Sequence, residues 1–251
     1  MKVQIVGVGV VGTAQACLAS QLGYEVVGYD RSRTTSEYAT MVKELEKEVD
    51  VTFVTVPEAA VEEMVGTAVK KQVKGLYVIK SSVPPQTTQR LMERHGIHIC
   101  HNPEFLREKT SLYDVLHPNV VIIGQCCAEH GDILREFYRP LGVPIVVTEP
   151  TVSETVKLTL NSYLATLITF WNEINEVAGA LGISTKEVAS LVKLNPRVST
   201  YGTEFFGAPF GGKCLPKDLE QVIQTSLQTG VNPQMLQAVR DYNRTLNVHT
   251  V

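Results

Sequence analysis

Short apolar runs alternate with longer amphipathic stretches through the first 150 residues. Segments 2–6 (KVQIV), 25–29, 51–56 (VTFVTV), 76–79, 97–100, 120–123 and 144–147 are rich in β-branched and apolar residues and read as strands, while the stretch ending at Gln21 and segments 58–70, 86–94 and 130–139 carry apolar residues at helical spacing. Strands alternating with helices predict an α/β fold with a parallel, doubly wound sheet of the Rossmann type. From Pro150 the pattern changes. Thr151-Val152-Ser153-Glu154 has the form of a capping box, and apolar positions then follow at helical spacing to Ala180, ended by Leu181-Gly182. That predicts one helix of about 28 residues, roughly 42 Å long. A second capping-box pattern, Ser184-Thr185-Lys186-Glu187, opens a helix to Val192; a long loop runs from Asn195 to Gly212, and helices follow over 219–227 and 233–246. The chain therefore divides into a dinucleotide-type domain over 1–148 and an all-helical domain, built on a long central helix, over 149–251.

Composition narrows the classes of partner. The chain has 251 residues, 44% hydrophobic and 20% charged, the profile of a folded globular protein. Lys and Arg number 23 against 26 Asp and Glu, a net charge of -3 that supplies no field to gather nucleic acid or an anionic membrane. The uncharged stretch Leu158 to Asn172 is too short to cross a bilayer, and strand-like sequence begins directly after Met1, so a cytoplasmic protein without signal or membrane span is expected. Five cysteines, with no CxxC and no zinc-type histidine spacing, predict a reducing compartment and no metal site. Cys17, Cys100, Cys126 and Cys127 read as small buried hydrophobes.

The first strand runs into Gly7-Val8-Gly9-Val10-Val11-Gly12, and Asp30 ends the second strand 18 residues after Gly12. In a dinucleotide fingerprint Gly7 allows the turn, Gly9 lets a pyrophosphate approach the backbone, and Gly12 lets helix and sheet pack closely. Asp30 accepts from ribose hydroxyls and repels a 2′-phosphate, favouring NAD over NADP, although Arg31 and Arg33 partly offset that repulsion. Ligands on such sheets sit beyond the carboxyl ends of the strands, which points to Val56-Pro57-Glu58, Lys80-Ser81-Ser82 and His101-Asn102-Pro103-Glu104.

In the second half, Lys157 and Asn161 lie four apart on one face of the long helix, with Asn172, Glu173 and Asn175 further along. Alone, Lys157 reads as a solvated surface charge; among apolar neighbours, it needs a partner. Cys214 follows Gly211-Gly212-Lys213 and precedes Pro216, a first-turn residue, so its sulfur stands near a helix N-terminus that favours thiolate. Lys213, Lys217 and Asp218 place charges beside it.

These residues resemble the UDP-glucose/GDP-mannose 6-dehydrogenases. The resemblance rests on Asn102 to Glu108 (NPEFLRE) with Asp114 and Pro118, on Glu154 through Lys157 to Asn161, and on Phe210 to Asp218 (FGGKCLPKD), in the family's order with the glycine fingerprint and Lys80-Ser81-Ser82-Val83-Pro84. It implies oxidation of the C6 hydroxyl of a nucleotide sugar to a carboxylate by two NAD molecules in turn, through a cysteine thiohemiacetal and thioester. It further implies that Cys214 is the nucleophile, that Lys157 stabilises the alkoxide and Asn161 fixes sugar hydroxyls, and that Asp218 positions water or Lys157. Glu104 would activate water with Ser82, which stands where the family usually has threonine, and Glu108 would help to hold the site, unless it pairs with Arg107 or Lys109. Cofactor contacts implied are Gly7, Gly9, Val10, Val11, Gly12, Asp30, Arg31, Val56, Pro57, Ser82 and Glu108; substrate contacts are Phe105, Leu106, Lys157, Asn161, Gly211 and Cys214. A homodimer through the long helix is implied as well.

Two departures shape the expectation. The family's third domain, which closes over the substrate nucleotide, has no counterpart before Val251, so a short form acting on a nucleotide sugar or a smaller sugar phosphate is expected. Pro209 stands where a glycine is usual. Two other readings stay open: a two-electron enzyme of the β-hydroxyacid dehydrogenase type, and a non-catalytic NAD-binding module.

Overall fold

The computed structural model describes residues 1–248 and divides into two compact units, Met1–Lys157 and a second that begins at Leu158. In the first unit, strands β1 (Lys2–Val6), β2 (Glu25–Tyr29), β3 (Thr40–Met41), β4 (Val51–Val54), β5 (Leu76–Ile79), β6 (Ile99–His101), β7 (Val121–Gly124) and β8 (Ile145–Thr148) form one sheet in the order β3-β2-β1-β4-β5-β6-β7-β8. They are joined by α1 (Val10–Gln21), α2 (Glu58–Lys70), α3 (Thr87–His95), α4 (Ser111–Leu116) and α5 (Ala128–Tyr138).

Side-chain alternation along each strand builds two cores. Val3, Ile5, Val51, Phe53, Leu76 and Val78 pack with Leu18 of α1 and Leu134 and Phe137 of α5. Val6, Val54, Tyr77 and Ile79 face the other way, against Val61, Met64 and Val65 of α2 and Leu91 of α3. The order reverses between β1 and β4, which opens a crevice beyond their carboxyl ends.

The sheet is not wholly parallel. β6 and β7 pair antiparallel with His101 opposite Gly124, while β7 and β8 are parallel to each other. The segment between β6 and β7 holds only a 3-10 turn, Glu108–Thr110, and the six-residue α4, so it makes no full helical crossover. The Asn102 side-chain amide donates to the Ile122 carbonyl at 2.7 Å and ties the reversed strand in place.

The long helix α6 spans Pro150–Leu181 and starts before its expected capping box. Ser153 and Glu154 do not cap it; both lie inside the helix and are fully buried. Ser153 Oγ lies 2.7 Å from His101 Nδ1 and donates to the Pro150 carbonyl. Glu154 instead serves the N-terminus of α3, accepting from Gln86 N at 2.7 Å, Thr88 N at 2.8 Å and Thr88 Oγ1 at 2.6 Å. Burial pushes its carboxyl above the usual carboxylate range despite these bonds. The first compact unit thus takes in the first two turns of α6 and ends at Lys157.

The second unit contains the rest of α6, then α7 (Thr185–Val192), α8 (Leu215–Gln228) and α9 (Gln234–Val248). Ala165, Ile168, Phe210, Leu219, Ile223 and Val239 form its core. Ser184 does cap α7, accepting from Glu187 N at 3.3 Å. The loop before α8 is held from two sides. Asn172 accepts from Gly207 N and donates to the Ala208 carbonyl, and Asn243 accepts from Phe210 N at 2.8 Å and donates to the Phe210 carbonyl. Of the expected second domain, residues 249–251 lie outside the described residues.

Replacing Glu154 by Ala leaves the two donors of buried Thr88 and the Gln86 amide without their acceptor. Urea unfolding of Glu154→Ala is expected to show a loss of about 3 kcal/mol, the scale of buried unsatisfied groups; a loss near zero would mean that α3 needs no such cap.

Candidate active site

The glycine loop has the tight-turn and close-packing geometry that its spacing predicts at Gly7 and Gly12. Gly7 has φ +94° and its amide donates to the Tyr29 carbonyl at 2.8 Å. A Cβ on Gly12 would stand 2.0 Å from the Gly7 carbonyl oxygen and 2.8 Å from Thr55 Oγ1, so α1 lies directly on the turn. A Cβ on Gly9 would meet nothing within 4 Å. No side chain caps α1 and its first turn holds no acidic residue, which leaves the positive helix end at Val10 and Val11 to an anion. Val56 packs against Gly7, and Pro57 begins α2.

Asp30 Oδ2 accepts from Val8 N at 2.8 Å, and Oδ1 accepts from Ser32 N, Ser32 Oγ and Arg33 N at 2.9 to 3.0 Å. Burial opposes its ionisation, but these bonds outweigh burial and hold its carboxyl below the usual range. Oδ2 retains acceptor capacity for a ribose hydroxyl. Arg31 is ion-paired with Glu63 of α2.

Beyond β5 and β6 lies a buried polar row that sequence reasoning found only in part. Lys80 is buried and donates to Asn102 Oδ1 at 2.6 Å; Tyr138 Oη donates to the same oxygen at 2.5 Å. Burial pushes the Lys80 ammonium down to about 7, Lys157 acting in the same sense and Glu104 against it. His101 is fully buried and neutral, its pKa pushed by burial to about 3. Lys80 was marked only as part of the segment beyond β5, without a role, and Tyr138 was not a candidate; an apolar strand ending in lysine was the available signal for the first. Lys157 is buried, not solvated, and its Nζ lies 3.1 Å from Glu104 Oε1 and 5.7 Å from the Phe105 ring centre. Glu104 Oε2 accepts from Leu106 N at 2.7 Å, which fixes the carboxylate on its loop. Ser82 is half-buried just after β5. Glu108 is exposed at the start of the 3-10 turn, and Arg107 pairs with Asp114 at 2.7 Å instead of with it.

In the second unit Asn161 donates to Asp218 Oδ2 at 2.5 Å, both residues being buried. Lys217 Nζ lies 2.6 Å from Asp218 Oδ1, an ion contact without hydrogen-bond alignment. Cys214 is the N-cap of α8 and exposed, with Pro216 in the first turn. Gly212 has φ +73°, and a Cβ on Gly211 or Gly212 would meet nothing within 4 Å, so the backbone just before Cys214 borders open space.

The other cysteines divide. Cys17 and Cys100 are buried as expected, but Cys126 and Cys127 are only half-buried and sit beside two histidines, correcting their reading as hydrophobes.

A doubly wound sheet with an open glycine loop, followed by a helical unit presenting a thiol at a helix N-terminus, defines a dinucleotide-dependent dehydrogenase class. Residues 37–142 match the NAD binding domain, and residues 151–245 the central domain, of the UDP-glucose/GDP-mannose dehydrogenase family. The chain belongs to that family. It is 28% identical to the UDP-glucose 6-dehydrogenase AglM of Haloferax volcanii, over 97% of this chain and 69% of the relative. It is 29% identical to the GDP-mannose 6-dehydrogenase of Pseudomonas aeruginosa, over 94% of this chain and 66% of the relative. A UDP-glucose dehydrogenase structure from Pyrobaculum islandicum superposes with a TM-score of 0.90 at 27% identity, covering 97% of this chain and 68% of that one. The chain thus spans about two thirds of the length of these relatives. Among the described residues no helix is long and apolar enough to cross a membrane.

The loop fits NAD: Gly9 leaves room where a pyrophosphate would lie, the α1 N-terminus is uncapped, and Asp30 is ionised. Gly9→Ala is therefore expected to fold with unchanged thermal stability yet bind NAD at least about tenfold more weakly, because the methyl group fills ligand space. Gly12→Ala is expected to lower stability itself. Titration calorimetry beside thermal unfolding checks the contrast, and equal effects of the two substitutions would refute it.

Proposed function

We propose that the chain is an NAD-dependent dehydrogenase that oxidises the primary alcohol of a nucleotide sugar, or of a smaller phosphorylated sugar, to a carboxylate through a covalent bond to Cys214. The observation that carries this reading is the exposed Cys214 at the α8 N-terminus, behind two glycines with open space before them. A helix N-terminus stabilises thiolate, and an alcohol dehydrogenase that stops at the carbonyl needs no such nucleophile. The relatives' names supply the substrate class.

NAD would be held by the Gly7–Gly12 loop and Asp30, and two NAD molecules bound in turn would each supply the hydride acceptor for one oxidation, alcohol to aldehyde and then thiohemiacetal to thioester. Lys157, with one of its three donor directions on Glu104, has others for a substrate oxygen and stabilises the alkoxide that forms as the alcohol proton passes to water. Cys214 thiolate adds to the aldehyde carbon; the carbon–sulfur bond forms as the carbonyl pair moves to oxygen. Asn161 orients sugar hydroxyls, and Asp218 holds the Asn161 amide. Glu104 takes a proton from water, aided by Ser82, as the water oxygen attacks the thioester and sulfur departs with the carbon–sulfur pair. Phe105, Leu106 and Gly211 line the substrate. The chemistry requires reduced Cys214, which accords with a cytoplasmic location.

The reading is tested with UDP-glucose, GDP-mannose and glucose 6-phosphate as probes. About two NADH per acid are expected, and Cys214→Ala is expected to form no acid. One NADH per turnover with an accumulating carbonyl product, or undiminished acid from Cys214→Ala, would overturn it.

The same proposal includes a homodimer. Leu160, Tyr163, Phe170, Val177 and Leu181 of α6 are exposed and recur at three-, four- and seven-residue intervals, one apolar stripe. Light scattering is expected to give twice the chain mass, and Phe170→Glu to halve it; a monomeric mass for the unaltered chain would contradict the dimer.

A further inference from the structure

Four metal-binding side chains meet at the edge of the sheet remote from the glycine loop. That loop follows the carboxyl end of β1, whereas His98 precedes β6 at the opposite, amino-terminal edge. Because β7 runs antiparallel to β6, the chain leaving β7 travels back toward the start of β6. It carries Cys126 and Cys127 there through a bend, and His130 follows in the first turn of α5. One ligand atom from each of His98, Cys126, Cys127 and His130 can be chosen so that all lie within 4.8 Å of one another.

We propose that His98, Cys126, Cys127 and His130 form a structural zinc site. Cys127 Sγ and Cys126 Sγ lie 3.0 and 3.4 Å from His130 Nδ1, and the His98 and His130 ring centres are 4.7 Å apart. Zinc bonds of about 2.0 to 2.3 Å give a tetrahedron with edges of about 3.3 to 3.8 Å, so the donors need only small adjustments to close on one ion. Two sulfurs and two imidazole nitrogens form a borderline-soft set that selects zinc over magnesium or calcium. Four protein donors leave no open position, which makes the site structural rather than catalytic. On binding, the two thiols form bonds to zinc and release their protons to solvent. Cys100 Sγ, 3.7 Å from Cys126 Sγ, stands behind the ligands.

The location gives the ion a task. The β6–β7 junction rests on one paired register, His101 opposite Gly124. A zinc ion binding residues on both sides would clip the start of β6 to the start of α5 at the only antiparallel step among the described strands.

The test uses the full chain, stripped with chelator and reloaded with zinc or cobalt(II) under reducing conditions. About one zinc per chain is expected by elemental analysis, and the cobalt form is expected to show tetrahedral d–d bands with thiolate charge transfer. Cys127→Ser and His130→Ala are expected to weaken binding by at least about tenfold. His98→Ala alters an exposed residue, so folding is not at issue, and it is expected to do the same. Cys214→Ser is expected to leave both zinc content and cobalt spectrum unchanged. The site is refuted if the reduced chain takes up no zinc, if His98→Ala and Cys127→Ser bind as tightly as the unaltered chain, or if the charge-transfer bands vanish in Cys214→Ser instead.

Discussion

A buried carboxylate sets the geometry of the α8 N-terminus in the helical unit. Asp218, in the first turn of α8, accepts the Asn161 amide from α6 at 2.5 Å. That bond fixes the α8 N-terminus to the long helix, and Cys214 stands at that N-terminus. Without a partner the buried Asp218 would be costly, so the pair is both a positional restraint and a requirement of folding. The apolar contacts of Leu219 and Ile223 beneath it bury the rest of the turn, and Asn172 and Asn243 hold the preceding loop. The thiol is thus presented by a rigid element although its own side chain is exposed.

The sheet domain solves a related problem with buried polar groups at strand ends. Asn102 receives Lys80 and Tyr138 on its oxygen and gives its amide to Ile122, so one side chain joins β5, β6, β7 and α5. Lys157 and Glu104 sit as a charged pair at the same edge, with the Phe105 ring beside the ammonium. Such a buried pair adds little net stability, so its energetics alone do not account for it.

Legibility in the sequence followed how local the physics was. Gly7 and Gly12 act through their own backbone and the next turn, so the turn and the close packing could be read from spacing alone. The same holds for Ser184 and Pro216, whose capping and first-turn roles involve only neighbouring residues. Thr151-Val152-Ser153-Glu154 carries an identical local pattern to the Ser184 box but lies inside α6, because Glu154 found a stronger task at the N-terminus of α3, more than sixty residues away in sequence. Strand direction is also absent from apolar alternation. The reversal at β7 therefore went unread, and with it the meeting of His98 with Cys126, Cys127 and His130, whose spacing resembles no linear zinc motif. Lys157, Asn161, Glu104 and Cys214 were legible as candidates; that Lys157 pairs with Glu104 and Asn161 with Asp218 required coordinates.

The central claim is that carbon bonds to sulfur at Cys214 during oxidation, and it is tested most directly by trapping that bond. Glu104→Gln, incubated with NAD and UDP-glucose or GDP-mannose and quenched in acid, should form NADH while accumulating a sugar-acyl adduct on the peptide containing Cys214, read by mass spectrometry. NADH formation with Cys214 unmodified at every time point would contradict the account.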